Sequence, residues 1–216
     1  MIARTIRAST HGRYLVERPL SPGAAPLLVG FHGYAETAAA QLERMRAIGG
    51  SQEWLLVSIQ ALHPFYRGRS QDVVFGWMTK EDREQAIADN VAYANAVVEA
   101  IAGEHALSGR LVFAGFSQGV AMAFRAAVAS PRPVSGVVVC GGDVPPELEA
   151  AALARIPSVL IGRGLRDDWY TPEKAAADLQ RLRAARVEAT PVEFDGGHEW
   201  PAPFIDAAAT FLNEHR

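Results

Sequence analysis

The chain has 216 residues, 49% of them hydrophobic and 21% charged, and a formal net charge of −3. That balance excludes a disordered polar chain, and the slight acidity excludes any general attraction to nucleic acid or to an anionic membrane. A single cysteine excludes an internal disulfide; with no apolar leader and no stretch long enough to span a bilayer, one cytoplasmic domain over 1–216 is expected.

In chain order, TIRA (5–8) and GRYLVE (12–17) flank a polar turn and predict an antiparallel hairpin at a sheet edge. Leu27, Leu28, Val29 and Phe31 form a short apolar run that breaks at His32-Gly33, and Trp54 to Ile59 form a second. Residues 61–80 show no period and predict a long loop, a kind of segment that often carries function. Ile87, Val91, Ala94, Val98 and Ile101 recur at helical spacing, predicting an amphipathic helix over 83–103. Leu111 to Ala114 form the third run, followed past a short turn by the Ala-rich helix VAMAFRAAVA. Val134 to Val139 and Ser158 to Ile161 come next. Thr171-Pro172-Glu173 then reads as an N-cap, a proline at the first helical position and an acid in the first turn. The helix it opens buries Ala175, Leu179 and Leu182; Thr190 to Phe194 is the last strand and Phe204 to Leu212 the last helix. Near-continuous apolar strands alternating with helices predict a single doubly wound α/β domain: a mostly parallel sheet, helices on both faces and the N-terminal hairpin at one edge.

Chemistry concentrates in Gly115-Phe116-Ser117-Gln118-Gly119, which follows a strand and opens a helix. A serine there sits on a tight turn that tolerates only glycine two residues to either side, and it is lifted above the sheet at a helix N-terminus. Ser117 is the expected nucleophile. Its hydroxyl needs a base, and His198, in Asp195-Gly196-Gly197-His198 between the last strand and last helix, is placed to supply one. The acid should follow an intervening strand. Asp167 is favoured, with Asp168 beside it as a solvated neighbour and Asp143, after VVVCGG, as the alternative. Backbone amides of Gln118 and Tyr34 are the expected oxyanion donors, and His32 is expected to tie the Tyr34 loop down. Trp77, Phe65, Trp169 and Trp200 lie beside these segments and are expected to wall a substrate pocket. The histidines lack ligand-like spacing, and the expected chemistry needs neither metal nor organic cofactor. Cys140 ends an apolar run and reads as core.

GFSQG at 115–119, HG at 32–33, GLRD at 164–167 and GGH at 196–198 resemble, in order, segments of the phospholipase/carboxylesterase family of α/β-hydrolases. That group includes acyl-protein thioesterases and small bacterial carboxylesterases. The resemblance covers most of the chain and implies an α/β-hydrolase fold, with Asp167 rather than Asp168 as the acid. Two positions depart from the family pattern: Arg163 stands first in H-G-x-x-D, and Ala35 fourth in H-G-x-G-x-x. The implied activity is hydrolysis of small carboxylic esters through an acyl-enzyme, by a monomer or homodimer without stable membrane association. A thioesterase or lysophospholipase with the same triad is the enzymatic alternative, and a non-catalytic ligand-binding protein on a hydrolase scaffold the alternative of another class.

Overall fold

The computed structural model describes residues 1–6 and 8–216. Its seven-stranded sheet contains β1 (Tyr14–Glu17), β2 (Ala25–Phe31), β3 (Leu55–Ile59), β6 (Leu107–Phe116), β7 (Gly136–Cys140), β8 (Ser158–Gly164) and β9 (Glu188–Phe194). A separate two-stranded sheet pairs β4 (His63–Tyr66) with β5 (Val73–Gly76). The order across the large sheet is β1-β3-β2-β6-β7-β8-β9, with every neighbouring pair parallel except β1 against β3.

Side chains alternate across the pleat, so each buried strand supplies two cores. Leu27, Val29 and Phe31, with Leu111 and Phe113, face α2 (Arg83–Glu104) and α3 (Gln118–Ala129). Leu28, Val112, Ala114, Val138 and Leu160 face the other way, onto Leu42 and Met45 of α1 (Ala38–Arg46) and Phe204, Ala208 and Phe211 of α6 (Ala202–Glu214). The short α4 (Ala150–Leu153) and α5 (Pro172–Ala184) complete the first face. Thr171 caps α5 by accepting from the Lys174 amide, with Pro172 in the first turn. No helix among the described residues is long and apolar enough to cross a membrane.

Two expectations need correction. Among the described residues no N-terminal hairpin forms: Thr5, Ile6 and Ala8 carry no strand, while Arg7 lies outside the described residues. Its second arm is β1, which pairs instead with the long-range partner β3, Tyr14 opposite Ile59. The antiparallel hairpin lies in 61–80, the segment expected to be a loop, as β4 and β5. It is fastened to the loop after β2: the Ala35 amide donates to the Phe75 carbonyl (2.9 Å) and the Phe75 amide to the Glu36 carbonyl (3.0 Å).

Candidate active site

Four parallel strands end on the same side of the sheet, and each delivers one part of the site. Strand β6 runs directly into Ser117, whose φ of 53° and ψ of −120° lie outside the regions an L-residue prefers. Such a conformation costs about 1–3 kcal/mol and persists only when its surroundings enforce it. Here the Ser117 amide donates to the Cys140 carbonyl at 3.0 Å, and the Val120 amide donates to the Ser117 carbonyl at 3.0 Å. The flanking glycines are sterically required. A Cβ on Gly115 would stand 2.4 Å from the Gly119 carbonyl oxygen, and one on Gly119 would stand 2.1 Å from that of Phe31 in β2.

Beyond β9, His198 brings Nε2 to 2.8 Å from Ser117 Oγ. Beyond β8, Asp167 Oδ2 lies 2.9 Å from His198 Nδ1. The other carboxylate oxygen accepts from the amides of Trp169 (2.8 Å) and Tyr170 (3.0 Å), and the Asp167 side chain is only 1% exposed. A buried carboxylate accepts and does not donate, so Nδ1 carries the imidazole proton. Nε2 is then left with a lone pair facing the serine hydroxyl. Asp168 is exposed, and neither it nor Asp143 makes a hydrogen bond to the imidazole. Asp195 pairs with Arg166 at the surface.

The loop after β2 passes directly beside the serine: a Cβ on Gly33 would lie 3.3 Å from that of Ser117. The Gly33 amide donates to Glu36 Oε2 at 2.8 Å, whereas no acceptor among the described residues engages the Tyr34 amide. Gln118 is the first residue of α3, so its amide has no acceptor within the helix. Its side chain has a further role: Oε1 accepts from the Trp77 amide (2.8 Å) and Nε2 donates to the Met78 carbonyl (3.0 Å), fastening the segment after β5 to the turn that carries Ser117. Under the loop His32 is fully buried. Its Nδ1 donates to the Gly33 carbonyl (2.7 Å), while Nε2 accepts from the Ala61 amide (3.1 Å) and Gln60 Nε2 (2.9 Å). Burial lowers its pKa to about 4, the Gly33 hydrogen bond opposing that shift.

The aromatic residues divide. Trp77 is a correction: it is completely buried, its Nε1 donates to the His32 carbonyl at 2.8 Å, and its ring packs edge-on to Phe31. It supports the loop after β2 from beneath and cannot wall a pocket. Phe65 stacks on Tyr34, ring centroids 5.1 Å apart, and Tyr34 is 54% exposed. Trp169 is exposed, with Lys174 Nζ 4.9 Å from its ring. Trp200 is half-buried, edge-on to Phe116 and Phe204. A cavity of about 720 Å³, lined by Arg13, Leu15, Gln60, Leu62 and Phe75 among others, borders neither Ser117 nor His198. The Ser117–His198 hydrogen bond is itself at an exposed position, outside that cavity.

Sequence reasoning did not single out Phe116, Glu36 or Arg44. Phe116 packs 5.0 Å from the His198 ring; it was visible only as the x of G-x-S-x-G. Glu36 and Arg44 lie in a loop and a helix with no motif linking them. Among the described residues no three His, Cys, Asp or Glu side chains gather as metal ligands would.

Comparison with known proteins agrees with this fold. The family model described as phospholipase/carboxylesterase matches residues 24–216. No curated protein matches the chain. Similar solved structures include esterase PE8, 23% identical with a TM-score of 0.75, covering 96% of this chain and 100% of its own. Zea mays acyl-protein thioesterase 2 is 18% identical with a TM-score of 0.74, over 95% and 99%. The Bacillus cereus carboxylesterase is 16% identical with a TM-score of 0.72, over 95% of each chain. At these identities the structural likeness shows an α/β-hydrolase fold.

Proposed function

The chain belongs to the phospholipase/carboxylesterase family, and from that premise we propose that it hydrolyses small carboxylic esters through an acyl-enzyme on Ser117. The observation that carries this reading is the unbroken line from Asp167 Oδ2 through the His198 ring to Ser117 Oγ, at 2.9 and 2.8 Å. His198 Nε2 takes the hydroxyl proton as Oγ attacks the ester carbonyl. Asp167 holds the tautomer and stabilises the imidazolium that forms. The amides of Tyr34 and Gln118 receive the oxyanion, with the dipole of α3 behind the second. His198 then protonates the departing alcohol, and water, activated by the same imidazole, releases the acid and regenerates the serine. The cycle calls on no metal or organic cofactor.

A small ester is favoured because the Ser117–His198 hydrogen bond lies at an exposed position, and the loop that passes the serine carries the exposed ring of Tyr34. The test is hydrolysis of a p-nitrophenyl ester series from acetate to palmitate, with Ser117→Ala as control. Activity should peak at short chains and fall on the order of 10⁴-fold in Ser117→Ala. A peak at long chains would move the reading to lipid-like substrates. Turnover unchanged in Ser117→Ala would end it.

A further inference from the structure

Arg44, on α1, reaches both sides of the reacting serine. Its guanidinium grips Glu36 with two hydrogen bonds, Nη1 to Oε2 at 2.7 Å and Nη2 to Oε1 at 2.6 Å. Glu36 Oε2 is also the acceptor for the Gly33 amide. The same guanidinium lies 4.2 Å from the centroid of the Phe116 ring, which packs against His198 on its other contacts. A third hydrogen bond, 3.4 Å long, joins Arg44 Nη1 to Gln41 Oε1.

This pair differs from an ordinary surface ion pair. The two side chains are 19% and 22% exposed. Burial alone would raise the Glu36 carboxyl, yet the Arg44 hydrogen bonds and charge, with the Gly33 amide, hold it below its ordinary value. The carboxylate therefore stays ionised and stays an acceptor. A planar fork also does what an ammonium cannot: it matches a carboxylate with two parallel bonds while lying over an aromatic face.

The consequence concerns direction. With the Gly33 amide engaged by Glu36, the next amide, that of Tyr34, is the one left to face the oxyanion. On the other side, Phe116 backs the imidazole that must hold Nε2 on Ser117. We propose that Arg44 is a positioning residue that fixes the oxyanion segment and the His198 ring in register with each other, without touching substrate. The inference rests on the reading of Ser117 and His198 given above.

The test uses Arg44→Met, which keeps the apolar stem, together with Arg44→Lys and Glu36→Gln. Three quantities are read: kcat and KM on a short p-nitrophenyl ester, inhibition by a trifluoromethyl ketone that needs the oxyanion hole, and fluorophosphonate labelling of Ser117. In folded Arg44→Met, kcat should fall roughly 10–100-fold with KM within about twofold of wild type, because donor alignment is lost rather than ground-state binding. Ketone affinity should fall in parallel, and Arg44→Lys should recover only part of either. A folded Arg44→Met with kcat and ketone inhibition both within about twofold of wild type overturns the proposal. So does a rise in KM at constant kcat, which would make Arg44 a substrate contact. If Arg44→Met does not fold, Arg44→Lys and Glu36→Gln are judged by the same criteria. Wild-type protein that is not labelled at Ser117 sinks the reading of the site and this inference with it. Labelled wild type with an unaffected Arg44→Met sinks the inference alone.

Discussion

His32 occupies the position in the loop after β2 where a charge can least be tolerated. Its Nε2 accepts from two donors, Ala61 N and Gln60 Nε2, so a proton there would set donor against donor in a fully buried place. The folded protein holds its pKa near 4, below the ordinary 6.5, chiefly through desolvation. A depressed histidine pKa means that the unfolded chain binds the proton first. The stability it protects is therefore fully present above about pH 6.5 and lost as pH falls from there through 4, by roughly 3 kcal/mol. Urea unfolding between pH 7 and pH 4 should show that loss in wild type and a flatter dependence in His32→Asn. Equal pH dependence in the two proteins would contradict it. At this scale the sequence was legible wherever a residue type is demanded by local geometry. Ser117 between Gly115 and Gly119 is such a case, because any larger flanking residue collides with backbone. His32 was legible as a tie. Trp77 was not, because an aromatic residue in a segment without period looks the same whether it faces substrate or core, and only the packing of Phe31 and His32 around it decides.

Strands β8 and β9 bring Asp167 and His198 together before either side chain is considered. Gly164 and Phe194 are register partners, and the pairing continues past the strands: Leu165 N donates to Phe194 O (2.9 Å) and Arg166 N to Gly196 O (2.8 Å). One step earlier Arg163 stands opposite Glu193 and pairs with it. Arg163 Nη1 also donates to the Gly164 carbonyl, which accepts the Asp167 amide as well. The residue that departs from the family pattern thus braces the turn that carries Asp167. The pair is unequal, with side chains 7% exposed for Arg163 and 58% for Glu193. Removing Glu193 strands a buried cation, whereas removing Arg163 leaves a carboxylate that water can solvate. Glu193→Ala should therefore cost roughly 2–3 kcal/mol in urea unfolding and Arg163→Met only about 1 kcal/mol. The reverse order would show that the stranded buried charge does not set the cost. The main strands and helices were legible because burial on both faces writes near-continuous apolar runs. The β4–β5 hairpin was not: HPFY and VVFG are only four residues each, HPFY is largely exposed, and Phe75 of the second strand bridges to Glu36. The N-terminal arm failed for the converse reason, since β1 satisfies its ladder on β3.

Across the whole molecule, the site is assembled by topology. The serine and histidine are 81 residues apart, and the histidine and aspartate 31. They meet because parallel strands joined by crossover helices all end on one side of the sheet, so each strand end adds one group to the same patch. The order of motifs along the chain revealed that patch, while its walls depended on how distant loops pack, which no local period records. The central claim is that Ser117 carries the acyl group, and the most direct measurement is rapid mixing with p-nitrophenyl acetate followed by mass spectrometry of the quenched protein. The account predicts a burst of about one p-nitrophenol per chain and an acetyl group on the peptide containing Ser117, both absent in Ser117→Ala. An acetyl group on another residue, or steady turnover that survives Ser117→Ala, would contradict it.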